Sequence, residues 1–537
     1  MQRALSRLAS EQFDLLIIGG GATGCFTARD ATIRGLKVAL IEARDFASAT
    51  SAHNSKLAHG GLRYLRNLEF SLVRESLRER RNLQAIAAHL IRPLPFLLPL
   101  YEGDINGKLT LGAGLTLYDL LSYDRNRLSD PAQKMPGHRW LAQTKALERE
   151  PVLEGKGFKG AFEYYDAQMY APERIALECL IDADESGAAI ANYLSAERLL
   201  LNGKRVEGSS VRDGLSGDVF DIRAKLTLVA AGPWADIFLE HATGRPAHHR
   251  LLRSKGIHLL LPEFTKSALT VEAGGGHYFV LPWRGHTLLG TTDTEFQGPP
   301  ESVAVSEKDI VDFLGLVNRY LPTAALKREQ VEFFYAGLRP LVDDGSGQTY
   351  NASRRSELLD HASDDGVDGL LSALGGKWTT SRHLAEIITD HCLMKLGISA
   401  RSCTTATTPL PGARFDSWEA LLKRHERKFT GVAGIRHLTH MFGARLPQLL
   451  DNAKVSDLAE LGESGDTMIQ VIHAVRAEMA LTLEDVIMRR TSLGQFGPFC
   501  NLAKVAEVMG AMLGWDEGRR RREMDAMGVL YQTREAA

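Results

Sequence analysis

Gly19, Gly21 and Gly24 in the segment GGGATG have the spacing that binds a pyrophosphate. Gly19 permits a tight turn, Gly21 lets the backbone approach the phosphates, and Gly24 lets a helix pack closely on a strand. The phosphate charge then faces the amides of a helix N-terminus. Glu42, about twenty residues further on, is placed to accept hydrogen bonds from ribose hydroxyls, and an acid there disfavours a 2′-phosphate.

Other residues suit other chemistry. Arg63 in GGLRYL, Arg339 in GLRPL and Arg355 in NASRRSELL offer planar, permanently charged forks. Such a fork binds a phosphate through paired charged hydrogen bonds, each worth about 1.5–3 kcal/mol. Arg63 and Arg339 stand in apolar, glycine-bearing turns, whereas Arg354 could take the role of Arg355 beside it. His258, on a predicted strand in SKGIHLLLP, titrates near neutrality as a general base should. It could equally be a satisfied core histidine or one that only binds substrate. Tyr64 either lines a pocket through its hydroxyl or merely packs. Lys377 follows Gly375 and Gly376 at a strand end, which brings a positive charge to a corner where negative charge could develop. Asp293 in GTTD reads as a turn or cap residue.

These residues need elements to position them. FDLLII reads as a buried parallel strand, ATGCFTARDATIR as a helix stopped by Gly35, and KVALIEA as a second strand ending at Glu42. Strand, loop, helix and terminal acid in register make a dinucleotide site, though the loop alone does not separate FAD from NAD. AKLTLVAAGPWAD gives another strand ending at Ala230, Ala231 and Gly232, and GLLSALGGKWTT a third ending at Gly375 and Gly376. Three such corners, far apart in sequence, suggest one extended cofactor held by noncontiguous segments, as FAD commonly is.

LLIIGGGATG, SKLAHGGLRYL, VAAGPWAD, SKGIHLLLP, LPWRGHTLLGTTDTEF, YAGLRPL, ALGGKWTTSR and ALTLEDVIMRRT occur in this order over nearly the whole chain. Through them the chain resembles the FAD-dependent glycerol-3-phosphate dehydrogenases of the quinone-linked respiratory type, within the wider superfamily of flavin amine oxidases. The resemblance implies oxidation of sn-glycerol 3-phosphate to dihydroxyacetone phosphate, with hydride passing from C2 to flavin N5. It implies FAD held by Gly19, Gly21, Gly24, Glu42, Ser55, Lys56, Leu57, Gly232, Gly375, Gly376 and Lys377. Substrate would be bound by Arg63, Tyr64, Arg339 and Arg355, and His258, Arg339 and Lys377 would be catalytic. Lys377 would then stabilise the anionic reduced flavin. Ubiquinone or menaquinone is the implied acceptor, which requires contact with a membrane. The sequence departs from the family at Ala58, where Ile is common, and at Tyr170 and Ala171, where an Asp pair is common.

The implied fold is α/β (α+β): an FAD-binding Rossmann-like domain, an antiparallel-sheet substrate domain and a small α-helical C-terminal domain. Within an oxidoreductase region 13–397, the cofactor module draws on about 13–90, 155–250 and 340–397, and the substrate-facing sheet largely on 250–340. Residues 1–12 read as a flexible lead-in, CTTATTPLPGARFD as a linker and 398–537 as the helical domain. The five cysteines are scattered, which fits a reducing compartment with buried thiols. No stretch reaches the roughly 18 apolar residues of a spanning helix, so the expected location is cytoplasmic, or peripheral on the cytoplasmic face of the inner membrane. Arg78–Arg81, Arg519–Arg522 and PLPFLLPLY are candidate membrane contacts. His437 and His440 have helical spacing without a third ligand, so no metal is expected. A net charge of −2 offers no cationic surplus for nucleic acid. The rival readings are a glycerol-3-phosphate oxidase using oxygen and, from another class, a nucleic-acid-binding flavoprotein. A homo-oligomer is compatible with all of them.

Overall fold

The computed structural model describes the chain except residues 66, 105, 245–249, 274–275, 343–355, 400, 452, 498 and 536–537. The apolar run at the start forms the strand Gln12–Ile18, central in an eight-stranded sheet. It pairs in parallel with Val38–Ile41 on one side and Val219–Val229 on the other. Leu370–Gly375 extends the parallel set beyond Val219–Val229, and Ala189–Ala191 extends it beyond Val38–Ile41. The near-continuous apolar character of these strands follows from burial on both faces: the helices Ala22–Ile33 and Ser381–Leu396 cover one, and Leu8, Leu199, Val211 and Leu239 cover the other. All three glycine-bearing corners therefore emerge at the same, C-terminal edge, beside the point where strand order reverses.

A second, ten-stranded sheet stands beside the first. Leu251–Pro262 pairs antiparallel with both His286–Gly290 and Phe333–Val342. The sheet also draws on Ile91–Tyr101 and Phe158–Met169, so it extends well outside the expected 250–340 segment. PLPFLLPLY is thus the interior strand Ile91–Tyr101, with Phe96, Leu97 and Leu100 buried, and not a landing surface. Its three prolines fall on alternate positions, so their missing N–H groups lie on one edge. The ladder to Phe158–Met169 runs along the strand despite them.

Beyond Trp418 the chain is helical, with Trp418–Lys428, Ile435–Phe442, Met468–Ala477, Leu502–Leu513 and Glu517–Val529. Val471, Val486, Ile487, Val505 and Met509 form its buried centre. The segment expected to link it loosely is packed tightly instead. Leu410, Pro411, Gly412 and Ala413 are buried, and a Cβ on Gly412 would stand 2.4 Å from His89 Nε2 and 2.5 Å from Glu178 Oε1. The lead-in is also ordered: Leu5–Ser10 is helical with Leu8 buried, and Arg3 pairs with Asp213 at 2.8 Å.

Most arginines of the basic runs expected at a membrane have acidic partners within the protein. Arg80 is buried against Asp166 at 2.5 Å, Arg81 meets Asp124, and Arg78 lies 3.5 Å from Glu79. Arg519 and Arg520 pair with Glu523 and Glu517 on their own helix. Among the described residues no helix is long and apolar enough to cross a membrane.

Candidate functional site

A cavity of about 950 Å³ opens where the C-terminal edge of the parallel sheet meets the second sheet. The glycine loop forms one wall. Gly19 has φ +119°, and a Cβ there would stand 2.5 Å from the Ala230 carbonyl oxygen. A Cβ on Gly24 would stand 1.9 Å from the Gly19 carbonyl oxygen, so helix and loop meet only because both lack side chains. Gly21 precedes the helix Ala22–Ile33, whose first amide donates to Ser51 Oγ at 2.8 Å. Glu42 accepts from the amides of Gly20 at 2.7 Å and Arg44 at 2.9 Å, and burial raises its carboxyl above the usual range. Each carboxylate oxygen keeps a lone pair for a ribose hydroxyl. Gly232, Gly375 and Gly376 line the same cavity from the other two corners. Length of wall, helix N-terminus, acid and volume suit an extended dinucleotide such as FAD.

The second sheet contributes Arg339, from the strand Phe333–Val342. Its guanidinium donates to Ser254 Oγ at 2.9 Å, Thr291 Oγ1 at 2.9 Å and the Thr292 carbonyl at 3.0 Å. Asp293 lies 3.9 Å away and accepts from the Ser254 hydroxyl at 2.7 Å. GTTD is thus the bracket that holds Arg339 at the cavity wall. Lys377 and Tyr64 line the wall too, with Lys377 Nζ 4.6 Å above the Tyr64 ring and donating to Ser76 Oγ at 2.5 Å. Arg63 lies beside them in the same turn, 5.0 Å from the Tyr64 ring, without itself lining the cavity. Arg355 and its neighbour Arg354 fall outside the described residues.

His258 stands behind the wall. Its Nε2 lies 2.9 Å from Ser55 Oγ, and its ring stacks on Tyr335 at 4.8 Å. Ser55 lines the cavity and His258 does not. Burial, with the charges of Arg339, Lys56 and His53 behind it, lowers the imidazole well below its ordinary value, so it is neutral at pH 7. Lys56 is a further departure from expectation: only its neighbours Ser55 and Leu57 line the cavity. The backbone at Lys56 has φ +55°, and its ammonium is buried against the Ala52 carbonyl at 2.8 Å and Glu173 at 3.5 Å.

Several residues at the cavity escaped the sequence reading. His59 lines the wall, its amide donating to Thr379 Oγ1 at 3.3 Å. Its place before Gly60 and Gly61 in HGGLRYL was the available signal. Trp378 also lines it, its indole donating to the Ser51 carbonyl at 3.2 Å. Ser51 carried no motif at all. The helical-spaced pair has a packing role: His437 Nε2 is 2.7 Å from Asp466, and His440 stacks between Tyr170 and Trp418, 4.3 Å from each ring. Tyr170, one of the departures noted above, also reaches His437 Nδ1 at 2.7 Å, so this side chain joins the second sheet to the helical domain.

A family profile described as FAD dependent oxidoreductase matches residues 14–382, and one described as the C-terminal domain of alpha-glycerophosphate oxidase matches 403–520. A glycerol-3-phosphate dehydrogenase of Synechocystis sp. is 37% identical, covering 96% of this chain and 95% of its own. Glycerol-3-phosphate dehydrogenase 2 of Mycobacterium tuberculosis is 35% identical over 96% of this chain and 87% of its own. The solved glycerol-3-phosphate dehydrogenase from Bacillus halodurans, complexed with FAD, superposes with a TM-score of 0.78 at 26% identity. It covers 98% of this chain and 96% of its own. With its FAD-suited cavity and both profiles in sequence order, the chain belongs to the FAD-dependent glycerol-3-phosphate dehydrogenases.

Proposed function

We propose that this protein oxidises sn-glycerol 3-phosphate to dihydroxyacetone phosphate and delivers the electrons to a membrane quinone. The carrying observation is Arg339, fixed by three hydrogen bonds at the wall of the same cavity that the glycine loop, Tyr64 and Lys377 line. FAD, when bound, supplies the two-electron acceptor. Arg339 binds and orients the anionic substrate, with Arg63 adding positive charge from behind Tyr64. The secondary hydroxyl loses its proton toward Ser55 and His258. In the tautomer with Nε2 unprotonated, the neutral imidazole accepts from the Ser55 hydroxyl, which faces the cavity. The Arg339 charge favours the alkoxide form of the substrate as it opposes protonation of His258. Lys377, held by Ser76 over Tyr64, keeps a positive charge at the wall for the electrons that arrive.

Support for a membrane acceptor comes from a surface that the sequence did not single out. The helix Lys108–Leu121 packs on the turn Leu62–Leu65, which carries Arg63 and Tyr64. On this side Leu109 is 90% exposed, Leu68 71% and Leu120 66%. Arg74 lies 4.6 Å and Arg127 5.8 Å from the exposed Tyr123 ring. Arg74 is paired with Asp124 at 2.8 Å, so the exposed leucines, with Arg127 beside them, are what suits a bilayer interface.

The test is an anaerobic absorption spectrum before and after sn-glycerol 3-phosphate, followed by a quinone analogue. Bleaching of the flavin band and its return on quinone addition is the expected result. A flavin that stays oxidised with substrate overturns the substrate. Reoxidation by oxygen with stoichiometric peroxide, and none by quinone, makes the protein an oxidase.

A further inference from the structure

The loop after Val38–Ile41 faces two ways. Toward the cavity it presents Arg44, Thr50 and Ser51. Ser51 receives the first amide of the glycine-loop helix at 2.8 Å, and Thr50 donates to the Leu338 carbonyl next to Arg339 at 2.6 Å. Toward the helical domain the loop presents Asp45, which is 0% exposed. Asp45 accepts from Arg489 Nε at 2.6 Å and from both terminal nitrogens of Arg490 at 2.8 Å. The two guanidinium groups hold its carboxyl at about 2. They come from a single wide turn, Asp485–Arg490. That turn is itself pinned, with Arg489 on Asp485 at 2.7 Å and Arg490 on the Glu478 carbonyl at 2.9 Å.

One loop therefore carries both a wall of the cofactor cavity and a buried ionic contact with the helical domain. We propose that the helical domain is a latch on the cofactor: the Asp45–Arg489–Arg490 contact sets how tightly FAD is held. Because coupling between sites is reciprocal, bound FAD in turn tightens the seating of the Asp485–Arg490 turn. The contact is suited to this task. A buried carboxylate that loses its guanidinium partners is strongly unfavourable, so the helical domain stabilises the position of Asp45 in this loop.

Asp45→Asn keeps the shape of the side chain and removes its charge. FAD affinity, read from flavin fluorescence on release and rebinding, is expected to weaken about 5- to 150-fold. Arg490→Lys, which keeps the charge but loses the fork, is expected to weaken it less. Arg445→Ala is the control: its partner Glu185, at 3.0 Å, also joins the helical domain to the body but lies outside the loop. It should leave FAD affinity unchanged. In the unaltered protein, amides of 485–490 should exchange hydrogen more slowly with FAD bound than after its removal. A merely structural ion pair would lower the melting temperature with and without FAD alike and leave affinity where it is. That result, or equal exchange in the two states, overturns the latch; should Asp45→Asn not fold, the exchange experiment decides alone.

Discussion

On the proposed function, Arg339 is the side chain on which substrate recognition turns. Its three hydrogen bonds hold a fork in a wall, and lysine cannot reproduce that geometry. Arg339→Lys should lower kcat/KM for glycerol 3-phosphate by about 10- to 150-fold, the equivalent of one charged hydrogen bond of about 1.5–3 kcal/mol. The flavin spectrum should be unchanged. Steady-state kinetics on the FAD-loaded variant checks this, and an unaltered kcat/KM would remove Arg339 from the substrate site. Residue type and local context announced Arg339, Lys377 and the three loop glycines. They could not announce that Ser55 stands between His258 and the cavity, because strand register across Leu251–Pro262 and Phe333–Val342 decides that.

At the scale of elements, the exposed helix Lys108–Leu121 is the proposed membrane contact, and with only Lys108 and Asp119 as charges its sequence resembles that of a buried helix. Leu109→Glu with Leu120→Glu puts two negative charges on the apolar patch. Sedimentation with vesicles of mixed neutral and anionic lipid should show binding by the parent and its loss in the variant. Glycerol 3-phosphate should still bleach the flavin of both. Equal sedimentation would take this helix out of the membrane contact. The contrast with Ile91–Tyr101 shows why such surfaces are hard to read. Both segments are rich in Leu, and distant partners decide which one is covered: Ile91–Tyr101 lies between Phe158–Met169 and Ala268–Ala273 with its side chains in two cores. The strand-loop-helix at residues 12–33 was legible because all its determinants are local. Gly412 read as linker because its contacts, His89 and Glu178, lie hundreds of positions away in sequence. The run Arg78–Arg81 misled for the same reason, since Asp166 and Asp124 neutralise it from a distance.

Across the whole molecule, buried imidazoles make stability depend on pH. Burial lowers His53 to about 4 and holds His258 and His440 well below their ordinary value. Below about pH 6.5 the unfolded chain takes up protons that the folded one refuses, so stability is full above that pH and falls beneath it. Each such histidine removes about 1.4 kcal/mol per pH unit within its window. Asp45 and Asp466, each held at about 2, lose their contributions only at much lower pH. The melting temperature of the FAD-saturated protein should therefore fall steadily between about pH 7 and 5. A flat profile would mean that these rings are hydrated in solution.

The pairing of Asp45 with Arg489 and Arg490 spans 444 and 445 positions of the chain. At about 5–20 residues per second, a ribosome delivers those arginines roughly 20–90 s after the loop they hold. The Rossmann half can fold its strands as they emerge, but the buried acid beside its nucleotide loop lacks these two counter-charges until residues 489 and 490 have been made. On the proposed latch, a nascent chain that has formed its nucleotide loop but not yet made Arg489 and Arg490 holds flavin about 5- to 150-fold more weakly than one in which the pairing is complete.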